Sequence, residues 1–371
     1  MKVFKPNVNK VVPTPEQLTF EHKRLKTIKL IRGTESSKGW NTFSNTSVVV
    51  DPIEDIFEQL QDKHPPRLDE IEEDDEEDLQ FVNFTMTAEE CHNAIKKMKS
   101  FTHAGQDGLS ISVLKQLVQY NSGVQGIDSE AIRFTEALTQ FINMSICNPI
   151  VDKDISSFIA DAEEIAIQNK LTIRPIAMIC VFRKIAHKVA RAHNKAVSDM
   201  RFEEARQLGC GKSNGTDIVI HAIRISRDMN PTHDFAKSDC ENAFQLVLRS
   251  EVIKCVKADA PSMLKMAKAE LNNVSSGWYV GLARGISAVK VSSGVQQGAE
   301  ASGEQFARVK GKLSLECRHL IPTGLDLHYA DDQFTIAHNS DLDPYLSFMD
   351  QKGPTYGIHQ SLQKADILLG I

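Results

Sequence analysis

A chain of 371 residues with 41% hydrophobic and 25% charged side chains carries enough apolar material for a sizeable core and the balance of a globular protein. Its longest apolar stretch, residues 175–182, is eight residues between Arg174 and Arg183, far short of a membrane span. The opening MKVFKPNVNKVVP lacks the apolar core of a secretory signal, and the seven scattered cysteines form no C-x-x-C pair, which argues against a zinc ribbon or disulfide framework. An intracellular protein, in the nucleus or the cytoplasm and away from membranes, is expected.

The net charge of −6 speaks against a nucleic-acid partner only until its distribution is read. Residues 69–78, DEIEEDDEED, hold nine of the 49 acids; without them 40 acids face 43 Lys and Arg. Such a run predicts a solvated linker, which closes an N-terminal extension over residues 1–80. Within that extension DPIEDIFEQLQDKHPP sets Ile53, Ile56, Phe57 and Leu60 at helical spacing before Pro65 and Pro66.

After the linker, TAEECHNAIKKMKS opens as a capped helix, with Thr87 as N-cap and Glu90 three residues on. AGQDG (104–108) is a turn. Residues 129–146 form a helix with Phe134, Ala137, Leu138, Phe141 and Ile142 on its apolar face. A further helix, 179–195, carries Val181, Ile185, Val189 and Ala192 on one face and a basic stripe of Arg183, His187, Arg191 and Lys195 on another. HDFAKSD (233–239) reads as a short strand followed by a helix to about residue 258. GWYVGLARGISAVKVSSG suits a hairpin, and 303–320 a helix. Leu325, Leu327 and Tyr329 then alternate into YADD (329–332), and Phe334 and Ile336 alternate out of it.

YADD admits two readings. One is a polar hairpin turn, since Asp is a common turn residue. The other is half of a metal site for phosphoryl transfer, in which a few carboxylates hold Mg²⁺ while substrate phosphates and water complete its shell. Asp239, at the end of the strand in FAKSDCENAF, supplies a partner carboxylate 92 residues before Asp331. GCGKS hints at a P-loop but fails on spacing, because the glycine required five residues before Gly211 is Arg206. The scattered histidines suggest no site, and His221 and His328 read as structural.

From about residue 37 to the end, the chain resembles the reverse-transcriptase domain of retrotransposons that lack long terminal repeats. The segments that carry the likeness occur in the family's order: HAGQDGLSISVLKQL, IRPIAMICVFRKIAHK, GCGKSNGTDIVIHAIR, SDCENAF with Arg249 beyond it, SSGVQQGAEASGEQF, YADD, and YGIHQSLQK. The resemblance implies an α+β fold of fingers (residues 81–180, mainly helical) and palm (181–371), the palm built on a small antiparallel sheet backed by helices. It implies RNA-directed DNA synthesis, with two Mg²⁺ ions (or Mn²⁺ in their place), an RNA template, a DNA primer and deoxynucleoside triphosphates. Asp239, Asp331 and Asp332 would be the metal ligands and catalytic carboxylates, with Lys364 beside the leaving pyrophosphate. Arg174 would reach the triphosphate, Phe244 would lie under the sugar, and Gln297 and Gly298 beside the nascent base pair.

The chain also departs from the family. After Gln297-Gly298 stand Ala299, Glu300, Ala301, Ser302 and Gly303 in place of Asp-Pro-Leu-Gly-Pro, and the Lys six residues before the Arg of Arg-Pro-Ile is Gln168, with Lys170 offset by two. The sequence ends seven residues after Lys364, and no thumb is expected. These departures keep a second expectation open: a catalytically degenerate remnant that retains the fold and at most binds nucleic acid.

Overall fold

The computed structural model describes residues 48–51, 53–71, 83–100, 102, 104–118, 129–148, 159–169, 172–282, 285–361 and 365–370. Two units divide at Val48/Val49. The first lies outside the described residues apart from Val48, as do residues 72–78 of the acidic run; the second holds every element below.

Helix α1 (Glu54–Lys63) turns Ile56, Phe57 and Leu60 into a small core with Ala166, Ile173, Tyr279 and Val289, while Ile53 is exposed at its N-cap. Helix α2 (Ala88–Lys97) starts with a full capping box: Glu90 N–H donates to the Thr87 hydroxyl and Thr87 N–H to the Glu90 carboxylate. After the 104–108 turn, where Gly108 N–H reaches the Gly105 carbonyl, comes the short helix α3 (Ile111–Leu117). Helix α4 (Ser129–Ile142) is closed by a π-turn, Asn143–Cys147. Its buried face is Ala131, Thr135, Leu138, Thr139 and Ile142, with Ala137 and Phe141 exposed. The sequence pattern misplaced part of this face because Thr135 and Thr139 each donate to a carbonyl one turn back and so enter the core satisfied.

A hairpin of β1 (Ala162–Asn169) and β2 (Thr172–Ile179) occupies the region expected to be mainly helical. The acids of AEEIAIQN mask its alternation, yet Ala162, Glu164 and Ala166 are buried on one face. Helices α5 (Val181–His193), α6 (Lys195–Glu204) and α7 (Gly215–Met229) lead to strand β3 (Asp234–Ser238), then α8 (Ala243–Leu246), α9 (Arg249–Asp259) and α10 (Leu264–Leu271). The expected hairpin is β4 (Ser275–Leu282) with β5 (Gly285–Val291), followed by helix α11 (Ser302–Cys317). Strands β6 (Leu325–Tyr329) and β7 (Asp332–Ala337), helix α12 (Asn339–Lys352) and strand β8 (Asp366–Leu368) complete the chain.

The fold is α+β. Two sheets serve different ends of it. In one, β1 pairs β2 antiparallel and β4 in parallel, and β4 pairs β5. The other is an antiparallel sheet in the order β6–β7–β3–β8. The main core joins residues of α2, α5, α9, α10, α11 and α12. All seven cysteines are free thiols and six are buried. Among the described residues no helix is long and apolar enough to cross a membrane.

The basic stripe on α5 is corrected by packing. Arg183 and His187 are buried and both met by the buried Glu270 of α10: Arg183 donates to it at 3.0 Å and His187 Nε2 lies 2.6 Å from it. Arg191 pairs with Glu300 and Glu304, and Lys195 with Asp199. A stripe with every member so engaged is not a free phosphate-binding face.

Candidate active site

Strand pairing brings the three aspartates to the same end of one sheet. Antiparallel β3 and β7 align Ser238 with Gln333, so Asp239 follows β3 at the level where Asp332 begins β7 and Asp331 precedes it. Asp331 is half-buried, and its carboxyl is pushed up from its ordinary value first by burial and then by the charge of Asp239, with Asp332 adding to the rise and Lys310 opposing it. Asp332 is half-exposed and lies 3.6 Å from the ammonium of Lys237 on β3. The Asp239 carbonyl accepts from Ser361 N–H at 2.8 Å, and Glu241 N–H donates to the His359 carbonyl, tying this corner to the chain beyond α12.

The turn is tight. Tyr329 pairs with Asp332, which leaves Ala330 and Asp331 as a two-residue loop. Ala330 adopts φ +55°, a left-handed conformation that costs an L-residue roughly 1–2 kcal/mol and that glycine usually fills in such hairpins. Contacts from outside the sheet hold it there. Gln207, buried, accepts from Ala330 N–H at 2.9 Å and donates to the Ala330 carbonyl at 3.2 Å; Gly209 N–H shares the same Gln207 oxygen. A Cβ on Gly209 would stand 2.3 Å from Ala330 N, so only glycine lets the two backbones touch. Lys310, fully buried on α11, donates to the Asp331 carbonyl at 2.5 Å.

Beneath the turn the sheet is polar and buried. Asp326, His328, Gln333 and Thr335 are all buried, with Ser314 and Tyr345 closing the network. Burial pushes the Asp326 carboxyl up, but His328 at 2.9 Å and the Ser314 and Tyr345 hydroxyls outweigh it and hold the carboxyl well below its ordinary range. Burial also holds His328 below its ordinary value despite Asp326. His328 is structural, as its sequence context suggests.

The other expected residues are placed as follows. Gln297 and Gly298 lie against the first sheet, with Ala177 N–H donating to the Gln297 carbonyl at 2.7 Å; Gly298 has φ +104°, and a Cβ there would stand 2.7 Å from the Ala177 carbonyl. Arg174 is exposed on the same strand, three residues from Ala177. Phe244 is partly buried on α8, its ring 5.8 Å from that of Phe306. The 299–303 segment is a compact turn into α11, with Ala299, Ala301 and Ser302 buried and Glu300 drawn to Arg191. Lys364 lies outside the described residues. No metal-holding group of three His, Cys, Asp or Glu side chains occurs among the described residues.

Buried cations brace the loop before Gly298. Arg249 donates to the carbonyls of Gly294, Leu271, Asn273 and Val291, and burial lowers its guanidinium to about 10. Arg183 donates to Gln296 at 2.8 Å. Gln207, Lys237 and Lys310 were not anticipated as contributors to the site. Lys310 had a readable signal: it falls on the helical row of Phe306, Leu313 and Cys317, where a charged residue without a task is costly. Gln207 had none, because its partner is 123 residues away.

Asp239 and Asp331 offer hard oxygen donors, which suits Mg²⁺ bound by two carboxylates and completed by phosphate and water. In donor type and charge the residues fit the ion.

No family model matches the chain, and no curated protein matches it. Solved structures to which it is similar include apo telomerase from Candida tropicalis, at 12% identity and a TM-score of 0.46 over 70% of this chain and 54% of that one. Another is telomerase from Candida albicans in complex with a TWJ fragment of telomeric RNA, at 13% identity and a TM-score of 0.44 over 56% and 42%. The chain therefore spans about half the length of these telomerases. Likeness at this level is loose, and nothing about the chemistry follows from it.

Proposed function

We propose that this chain is an RNA-directed DNA polymerase domain of the non-LTR retrotransposon type, its palm built on the β6–β7–β3–β8 sheet and its fingers on the region before it. The observation that carries the reading is the β3–β7 pairing, which brings Asp239 beside the Asp331–Asp332 turn from 92 residues away. The depth of packing under that turn adds to it, since an ordinary surface hairpin needs no buried clamp.

Asp239 and Asp331 would hold two Mg²⁺ ions, with Asp332 alongside, and the ions would supply charge neutralisation for the reacting phosphoryl group and a more acidic primer 3′-hydroxyl. The protein's own contribution is positioning. Gln207 and Lys310 fix the backbone of the turn, so the Asp331 carboxylate is aimed before substrate arrives. Gly298 lets backbone approach closely where a base pair would lie, Phe244 offers a ring to a deoxyribose, and Arg174 an exposed guanidinium to a triphosphate. Lys364 would meet the pyrophosphate. The partners are then an RNA template, a DNA primer and deoxynucleoside triphosphates, and the seven free thiols suit a reducing, intracellular setting.

The test is primer extension on an RNA template. Extension with Mg²⁺ or Mn²⁺, lost in Asp331→Ala, is expected; no extension with either ion overturns the reading. A second reading, a non-catalytic remnant that binds nucleic acid, is favoured by the 299–303 departure and by the pairing of Asp332 with Lys237. Its signature is binding unchanged by Asp239→Ala with no nucleotide incorporated.

A further inference from the structure

Lys310 is the most unusual side chain at the candidate site. It is fully buried on α11, in a helix whose neighbouring inward residues are Phe306, Val309, Leu313 and Cys317. Its ammonium donates to the Asp331 carbonyl at 2.5 Å and lies close enough to the buried Cys240, the residue after Asp239, to oppose the rise that burial imposes on its thiol. Neither neighbour carries a charge. A buried ammonium is retained when counter-charge lies close enough to offset its lost hydration. Here that charge comes from the carboxylate cluster, since Lys310 acts electrostatically on Asp331 against the repulsion of Asp239 and Asp332. A second lysine, Lys237, stands 3.6 Å from Asp332 at the exposed side of the same cluster. Among the described residues, the ammonium groups of Lys310 and Lys237 thus stand beside the three carboxylates.

We propose that Lys310 is a built-in counter-cation of the YADD carboxylates, which steadies them without metal and weakens their grip on a divalent ion. The inference rests on the active-site reading above and concerns how that site is tuned. The reason is Coulombic. Charges separated by protein interior interact much more strongly than charges across water, so a fixed positive charge behind Asp331 opposes an arriving ion, whereas the contribution of Lys237 is screened by solvent. Binding then depends on the phosphates that a nucleotide brings, and the empty site remains folded and ready.

The measurement is the dissociation constant of Mn²⁺ by electron paramagnetic resonance of the free ion, at pH 8 and without nucleotide, on the full chain. Lys310→Met is expected to bind Mn²⁺ about tenfold more tightly than the parent, Lys310→Arg to match the parent, and Lys237→Met to tighten two- to threefold at most. Lys310→Gln keeps a donor for the Asp331 carbonyl while losing the charge; it serves if the Met variant does not melt as a folded protein, and the same tightening is expected. Mn²⁺ binding that Asp331→Asn abolishes but that Lys310→Met and Lys310→Gln leave unchanged or weaker overturns the role of Lys310 and spares the active-site reading. Binding that survives both Asp239→Asn and Asp331→Asn, or no binding by any of these chains, overturns both.

Discussion

Ala330 shows how much of a site can rest on one strained residue. Its φ of +55° disfavours any side chain larger than hydrogen, and Gln207 meets both of its backbone polar groups. Replacing Ala330 with Gly relieves the strain, so the change is expected to raise the unfolding midpoint slightly, by up to ~1 kcal/mol after the entropy of glycine in the unfolded chain is counted. Gln207→Ala removes the partner of Ala330 N–H, the Ala330 carbonyl and Gly209 N–H at a part-buried turn, and should cost about 1–2 kcal/mol in urea denaturation. The same variant should lower nucleotide incorporation more than nucleic-acid binding, because it frees the turn and touches no substrate; equal loss of both would mean a merely unfolded protein. YADD as a turn was legible from Asp and from the alternation around it. Its clamp was not, since Gln207 is an ordinary residue in sequence and becomes a ligand of the turn only when residues 206–209 run beside β6.

At the scale of elements, faces that look polar turn inward. Helix α5 reads as amphipathic with a wet basic stripe, yet Arg183 and His187 enter the core because Glu270 on α10 is there to receive them. Strands β6 and β7 read as apolar on one face, and their other face, bearing Asp326, His328, Gln333 and Thr335, is at least as deeply buried. Periodicity locates such elements well; it assigns faces by hydrophobicity alone and misses a polar face that arrives with its own partners. Removing one partner exposes the cost. Glu270→Gln leaves Arg183 with a buried, uncompensated charge and should destabilise by about 3–5 kcal/mol. Burial raises the Glu270 carboxyl, but Arg183 and His187 overcome this and hold it at about 2, against an ordinary 4.5. A carboxyl depressed in the folded state contributes stability that is fully present above its unfolded value and is lost as pH falls towards its folded one. Urea midpoints measured across that window should therefore drop between about pH 4.5 and 2, and the drop should be smaller in Glu270→Gln.

For the whole molecule, the seven thiols give a simple check on the packing. Six are buried, and Cys210 is half-buried with burial pushing it up to about 11. A thiol-specific reagent at neutral pH should titrate at most one cysteine in the native protein, slowly, and seven after denaturation; rapid reaction of several would contradict the packing described. The capped helix at Thr87, the strand leading to Asp239, the 275–291 hairpin, helix α11 and the YADD turn were legible in the sequence, because each depends on propensities and periodicities within a few residues, while the α+β class was implied by the family resemblance. Sequence by itself also determined which carboxylates were candidates. Only the tertiary structure decided that β3 and β7 pair, that Arg183 and His187 belong to the core, and that Gln207 and Lys310 hold the turn. Those facts depend on which distant segments the burial of apolar surface brings together, and on whether a polar group finds a partner when it arrives. No local pattern carries that information.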